Sequence, residues 1–290
     1  MENLGYYNGK TGPIDQMTIP MNDRAVYFGD GVYDATYAAG GVIFKIEDHI
    51  SRFYSSCRKL RLPFAMKPER LAAVLQECVN RVDGAPANCL FVYWQATRGT
   101  GMREHAFPET GAANLLITVS PSKLRAVSRK YRLITVEDTR FFHCDIKTLN
   151  LIPSVMAAQQ AKEAGCDEAV FHRGEVVTEC AHSNVSILKD GVFRTAPLSN
   201  LILPGTARKH LIALAQDHGI PVEERAFTLR EMMDADEVMV HSSGTLCNAA
   251  CEIDGKPVGG KDSETLGVLQ RAAVEEFEEY TGARFADCAG

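Results

Sequence analysis

Short glycine turns recur along this chain between β-branched and aromatic runs. Asn8-Gly9, Gly40-Gly41, Arg173-Gly174, Asp190-Gly191 and Asp254-Gly255 each separate two stretches with strand character. Such turns need positive φ, which glycine adopts without a Cβ clash, and they join antiparallel neighbours. The first is expected to close an opening hairpin of residues 4–8 and 14–19. Helical periodicity appears between the strands. Ile50, Phe53, Cys57 and Leu60 make one apolar face over 47–60, and Arg52 lies off that stripe. Pro68 opens a second helix ending at Gly84, and Pro153 a third that stops at Gly165. Thr228 and Glu231 match a capping box, and residues 263–280 close the chain as an amphipathic helix. Hairpins outnumber βαβ crossovers, so the fold class is α+β rather than a doubly wound sheet. The polar segment 121–128 is the expected linker between an N-terminal domain, 1–120, and a C-terminal domain, 129–290.

Composition removes several classes. The net charge is -6 over 290 residues, with no lysine/arginine block, so a nucleic-acid partner is not expected. No run reaches membrane-spanning length. The first residues lack a basic stretch followed by an apolar core, so no secretory signal is expected and a cytoplasmic location is. Nine scattered cysteines form no CxxC pair and fit reduced thiols, and no metal site is expected. Neither a GxGxxG nor a GxxxxGK[ST] fingerprint occurs.

The chemistry centres on Cys144-Asp145-Ile146-Lys147-Thr148-Leu149-Asn150. This stretch lies between a strand, 131–136, and the helix from Pro153, where reactive groups are often held. Two segments suit an anion. At Gly205-Thr206-Ala207 a helix begins, and its exposed N–H groups and dipole favour negative charge. At Ser242-Ser243-Gly244 a strand ends in small hydroxyls. Arg52 could add a positive charge. A strand-end lysine together with an anion cradle suggests pyridoxal phosphate, which also needs a partner for its ring nitrogen. Glu179, closing the strand 176–179, is a candidate.

These residues lead to a resemblance. Asp23-Arg24 with Phe28-Gly29-Asp30-Gly31-Val32-Tyr33, Glu47-Asp48-His49-Ile50-Ser51-Arg52, the loop from Thr97-Arg98-Gly99-Thr100 through Arg103-Glu104-His105, the Lys147 stretch, Val177-Thr178-Glu179 with Ser183-Asn184-Val185, and the Gly205 segment follow in collinear order. The chain resembles the fold-type IV pyridoxal-phosphate enzymes, most closely the D-amino-acid aminotransferases, over nearly its whole length. The resemblance implies a smaller N-terminal α/β domain and a larger C-terminal mixed-sheet, pseudo-barrel domain. It implies that Lys147 is the Schiff-base lysine and proton shuttle, and that Glu179 holds the pyridine nitrogen. Arg52, the N–H groups of Thr206 and Ala207, and Ser243 would hold the phosphate, with Leu203 on the ring face. Tyr33, Arg103, His105 and Ser242 would meet the substrate. Arg103 and His105 would come from the partner subunit, which implies a homodimer. The implied reaction is of the type D-alanine plus 2-oxoglutarate to pyruvate plus D-glutamate. A branched-chain L-amino-acid aminotransferase and an aminodeoxychorismate lyase are the alternatives on this fold, and both lack the Arg-x-His trap. The chain departs from the pattern at Asp34, a shorter acid in the pocket where glutamate is usual. It departs again at Cys180-Ala181-His182-Ser183, which replaces a serine-rich run behind Glu179, and at Gly205-Thr206-Ala207-Arg208, where the usual hydroxyl shifts by one position.

Overall fold

The computed structural model describes residues 1–85, 87–109 and 111–290; Pro86 and Thr110, the latter in the expected 98–112 loop, lie outside the described residues. The chain divides into two compact units. The first comprises Met1–Leu124, Ile146–Asn150 and Phe277–Ala289, and the second Arg125–Asp145, Leu151–Glu276 and Gly290. Two stretches expected in the C-terminal domain, 146–150 and 277–289, therefore group with the first unit. Thr148 bridges to Val32, and the Leu124 N–H donates to the Cys288 carbonyl at 2.9 Å.

In the first unit the elements are β1 (Leu4–Tyr7), β2 (Lys10–Gly12), α1 (Arg24–Phe28), β3 (Gly31–Ala39), β4 (Val42–Ile43), α2 (Ile46–Lys59), α3 (Pro68–Asn80), β5 (Leu90–Thr97) and β6 (Asn114–Pro121). The strands form one antiparallel sheet in the order β2-β1-β6-β5-β3-β4. Phe53, Leu71, Leu75, Trp94 and Ile117 belong to its core. Asn8-Gly9 does turn the first hairpin, with both φ values positive. Its second strand is Lys10–Gly12 rather than 14–19. Pro13 has no N–H to give a ladder, and the Ile14 N–H donates to Asn3 Oδ1 at 2.9 Å, so Ile14–Gln16 curls into a single 3₁₀ turn.

The second unit holds β7 (Tyr131–Glu137), α4 (Ile152–Glu163), β8 (Glu168–Arg173), β9 (Val176–Cys180), β10 (Asn184–Lys189), β11 (Val192–Thr195), α5 (Thr206–Asp217), β12 (Val222–Glu224), α6 (Leu229–Asp234), β13 (Glu237–His241), β14 (Asn248–Ile253) and β15 (Lys256–Pro257). Its sheet runs β12-β11-β10-β13-β14-β7-β8-β9, with β15 on β14. The β7–α4–β8 crossover makes one parallel pair, β14–β7 and β11–β12 two more, and the hairpins supply antiparallel ones. The fold is therefore α+β with one antiparallel and one mixed sheet. The Thr228–Glu231 capping box forms as the sequence predicts. Helix α7 (Ser263–Thr281) passes between units at Phe277, and α8 (Phe285–Cys288) belongs to the first. Among the described residues no helix is long and apolar enough to cross a membrane, and no cysteine pair forms a disulfide.

Candidate active site

Lys147 is fixed through its backbone. Its N–H donates to Ser56 Oγ at 3.1 Å and its carbonyl accepts from the Tyr33 N–H at 2.9 Å. The segment thus runs beside β3 and meets it at one isolated bridge, Thr148 to Val32. The side chain brings Nζ to 4.2 Å from the centroid of the Tyr33 ring. Tyr33 stacks in turn on Tyr93, at 5.5 Å.

Successive β3 side chains point to opposite faces. Tyr33 takes one and Asp34 the other, with Val32 and Thr36. Asp34 is therefore not an acid beside Tyr33 in a pocket; it is fully buried beneath α2. There it accepts Arg52 Nε at 2.9 Å and Arg52 Nη2 at 2.7 Å, a bidentate pair, and His49 Nδ1 lies 2.8 Å away. Burial alone would raise the Asp34 pKa, but the Arg52 charge and the hydrogen bonds from both partners outweigh it and hold the carboxyl well below its usual range. Burial lowers the His49 pKa, and the charges of Arg52 and Lys147 add to it against the pull of Asp34. The ring is then neutral, with its proton on Nδ1 donated to Asp34. The 3.2 Å approach of Arg52 Nη2 to that same nitrogen is a contact between two donors, not a hydrogen bond. His49, Arg52 and Ser56 form a polar stripe at helical spacing beside the apolar one. Its members orient Asp34, Arg52 and Lys147. The sequence reading took only the apolar face and so missed His49 and Ser56.

In the second unit Glu179 closes β9 and is buried. Arg140 Nη1 donates to its Oε1, while Asn184 Nδ2 and the Leu203 N–H donate to Oε2 at 2.9 and 3.0 Å. Arg140 is itself held bidentately by Asp138, Nε to Oδ1 and Nη2 to Oδ2, both at 2.9 Å. Arg173 and Thr178 bind the same Asp138 at 3.2 and 3.1 Å. The altered segment 180–183 leaves this shell standing. His182 and Ser183 instead reach Glu168, at 2.8 and 3.1 Å. Arg140 and Asp138 were not foreseen. The available signal was that a buried glutamate demands a cationic partner, and Asp-x-Arg directly follows β7.

The helix start at Gly205 carries no side-chain cap among the described residues, and Thr206, its first residue, is buried. A Cβ on Gly205 would lie 1.9 Å from Asn184 Oδ1. Only glycine lets this cradle abut the amide that supports Glu179. Leu203 meets Glu179 through its backbone, and Ala207 is half-buried. After β13, Ser242 uses its hydroxyl within its own turn, at 3.0 Å from Thr245 Oγ1 and accepting from the Gly244 N–H at 3.3 Å. Ser243 is half-buried in that turn. The buried His241 before it lies 2.8 Å from Ser186 Oγ and is pushed down to about 3 by burial and the Arg208 charge.

Arg103 and His105 are exposed on the 98–112 loop and share one surface. The Arg103 guanidinium and the His105 ring each lie 5.3 Å from the Phe28 ring centroid. Among the described residues no hydrogen bond, ion pair or ring contact joins this pair to Lys147 or Tyr33. Among the described residues no three His, Cys, Asp or Glu side chains gather as a metal ion would need.

Comparison with known proteins follows the same lines. The family model described as Amino-transferase class IV matches residues 31–253. A D-alanine aminotransferase of Listeria monocytogenes serotype 4b (strain F2365) is 37% identical over 274 residues, covering 92% of this chain and 94% of that protein. One of Staphylococcus haemolyticus is 35% identical over 285 residues, covering 96% and 98%. Among solved structures, a T.th. branched-chain amino acid aminotransferase complexed with N-(5'-phosphopyridoxyl)-L-glutamate has a TM-score of 0.84 at 25% identity, covering 96% of each chain. The Escherichia coli branched-chain enzyme, at 19% identity, a TM-score of 0.83 and coverages of 98% and 96%, shares the fold.

Proposed function

Because the chain belongs to the class IV aminotransferases, we propose that it transfers amino groups between D-amino acids and 2-oxo acids, as in D-alanine plus 2-oxoglutarate to pyruvate plus D-glutamate. It is a pyridoxal 5'-phosphate-dependent aminotransferase. The observation that carries the D-amino-acid reading is the near-full-length likeness to proteins named D-alanine aminotransferase.

The residues present fit the cofactor: an uncapped helix start at a glycine where no Cβ can stand, and a buried carboxylate in an ion pair with arginine. Pyridoxal phosphate, when bound, supplies an electron sink for the charge left at the substrate α-carbon. In this reading Lys147 Nζ is its covalent anchor and the base that carries the substrate proton. Glu179 holds a proton at the ring nitrogen. Arg52, the N–H groups of Thr206 and Ala207, and Ser243 hold the phosphate. Leu203 packs on the ring. Tyr33, Ser242, Arg103 and His105 receive the substrate, the arginine by bidentate pairing with its carboxylate. A homodimer contributes the last two to the partner's site. Exposed Phe141, Phe142, Ile152, Val155 and Met156 in the second unit give such a contact an apolar surface.

The test is a panel of half-reactions on cofactor-loaded protein with D- and L-alanine, D- and L-glutamate and L-leucine, followed by borohydride reduction and peptide mapping. D-alanine and D-glutamate should react and the label should fall on Lys147. Preference for L-leucine would replace this reading with the branched-chain one, and protein that takes up no cofactor would sink both.

A further inference from the structure

The chemistry above gives no role to Asp23-Arg24 or to Asp30, yet their side chains are spent on the loop that carries Arg103 and His105. Asp23 clamps the loop's two ends. Its Oδ2 accepts from Thr97 Oγ1 at 2.9 Å and from Asn114 Nδ2 at 2.7 Å, the last residue of β5 and the first of β6. Just inside, Gly99 has φ +94°, and a Cβ there would lie 2.3 Å from the Ala112 carbonyl oxygen.

Arg24 crosses the middle of the loop. Its Nη1 donates to the carbonyls of Glu104 and Ala106 at 2.6 and 3.3 Å, and its Nη2 to that of His105 at 3.4 Å. The guanidinium lies 4.9 Å from the Phe28 ring centroid, the same ring that Arg103 and His105 rest on. Arg24 Nε donates to Asp30 Oδ2 at 2.9 Å. That oxygen also accepts from Arg98 Nε at 2.8 Å, and the Arg98 guanidinium stacks on Phe107 at 3.6 Å. Both arginines are almost wholly buried, with side chains 4% exposed, and share one carboxylate. A buried cation is costly to keep.

We propose that Arg24 and Asp30 are positioning residues for substrate-carboxylate recognition. By capping the carbonyls of residues 104–106 they hold Arg103 and His105 against the Phe28 ring as a pair. This rests on the reading of Arg103 and His105 given above. The Lys147 segment is tied to backbone carbonyls of the same turn, by the Asn150 side-chain Nδ2 to Gly29 at 3.0 Å and by the Leu149 N–H to Gly31 at 3.1 Å. Side-chain changes at positions 24 and 30 therefore leave it in place.

The test compares Arg24→Lys, Asp30→Asn, Arg103→Ala and the double variant Arg24→Lys/Arg103→Ala in the cofactor-loaded enzyme. A lysine ammonium is a point donor and cannot serve a carboxylate and three carbonyls together. Arg24→Lys and Asp30→Asn should each raise KM for both the D-amino acid and the 2-oxo acid about tenfold, with kcat within about twofold. Cofactor uptake and borohydride labelling of Lys147 should be unchanged, and amide exchange over residues 103–107 should quicken. In the Arg103→Ala background, Arg24→Lys should add less than about twofold, because it acts through a side chain already removed. Unchanged KM in both single variants while Arg103→Ala raises it would overturn the proposal, as would full multiplication in the double variant. Loss of cofactor from both single variants would also overturn it, by showing a general structural role. If Arg103→Ala leaves KM unchanged, the assignment of Arg103 itself falls and the positioning role falls with it.

Discussion

Asp34 in the first unit and Asp138 in the second are both enclosed aspartates that grip an arginine through Nε and Nη2, at 2.9 and 2.7 Å in one and 2.9 Å twice in the other. In the first the aspartate's partner is itself the group assigned to the site, the cation Arg52. The second runs one link further. Arg140 passes its remaining arm to Glu179, so the outward member is an anion. Lengthening the same buried relay by one residue reverses the sign of the charge presented. That suits the two tasks proposed for them, a phosphate for Arg52 and a protonated ring nitrogen for Glu179. In both cases the aspartate spends the flexibility of the next side chain beforehand, which is how a site is preorganised.

The largest expected effect comes from neutralising the end of the longer relay. Glu179→Gln keeps the shape but removes the charge and turns one of the two accepting oxygens into a donor. Single-turnover rates with D-alanine should fall by roughly a thousandfold, about 4 kcal/mol, while titrated cofactor uptake stays within a few-fold of the parent. If uptake collapses and turnover per bound cofactor does not, Glu179 belongs to the binding frame and the parallel with Arg52 breaks. A smaller effect, of the opposite kind, is expected at the root of the shorter relay. Asp34→Asn leaves Arg52 charged but no longer forked onto a carboxylate, so cofactor affinity should drop about tenfold, roughly 1.4 kcal/mol, with turnover at saturating cofactor little changed. Equal losses in affinity and turnover would show that Asp34 acts on more than Arg52.

How much of this could be read beforehand follows from the range of each interaction. The hairpins were legible because a glycine turn is decided by neighbouring residues, and the helices because their apolar residues recur at regular spacing. The five-residue helix α1 was not, since it is too short to show a period. The three-residue β12 was missed because its pairing with β11 is parallel and its residues are half-exposed. Lys147, Glu179 and Arg52 were singled out through a collinear set of motifs, and the roles given to them are proposals. Their supports were not legible. His49 and Ser56 share a helix with Arg52 but not its apolar stripe, and Arg24 recognises backbone carbonyls, which leave no mark in the identity of residues 104–106. Asp34 was placed on the wrong face because it was considered beside Tyr33, although strand alternation already sends neighbours apart.

The smallest effect is absent at neutral pH and tests whether the buried histidines of the two units behave alike. His49 leans on a carboxylate and His241 on a hydroxyl, yet the pKa of each is lowered, mainly by burial. Folding therefore disfavours the protonated form of both rings, whereas in the unfolded chain each binds a proton below its ordinary value of about 6.5. The unfolded state therefore takes up more protons as pH falls, and folding stability declines from about pH 6.5 downward. For His241 the decline continues to about 3, its folded value. The paired Asp34 adds its own loss only below its ordinary value of about 3.9, so the range above about pH 4.5 reports on the histidines. Each contributes a slope of up to about 1.4 kcal/mol per pH unit. His241→Asn, which keeps an amide for Ser186, should remove one such contribution from denaturation curves recorded between about pH 6.5 and 4.5. A slope that stays the same would mean that His241 takes up its proton without unfolding, and that the hydroxyl-bound ring in the second unit, unlike the carboxylate-bound one in the first, is open to protons in the native state.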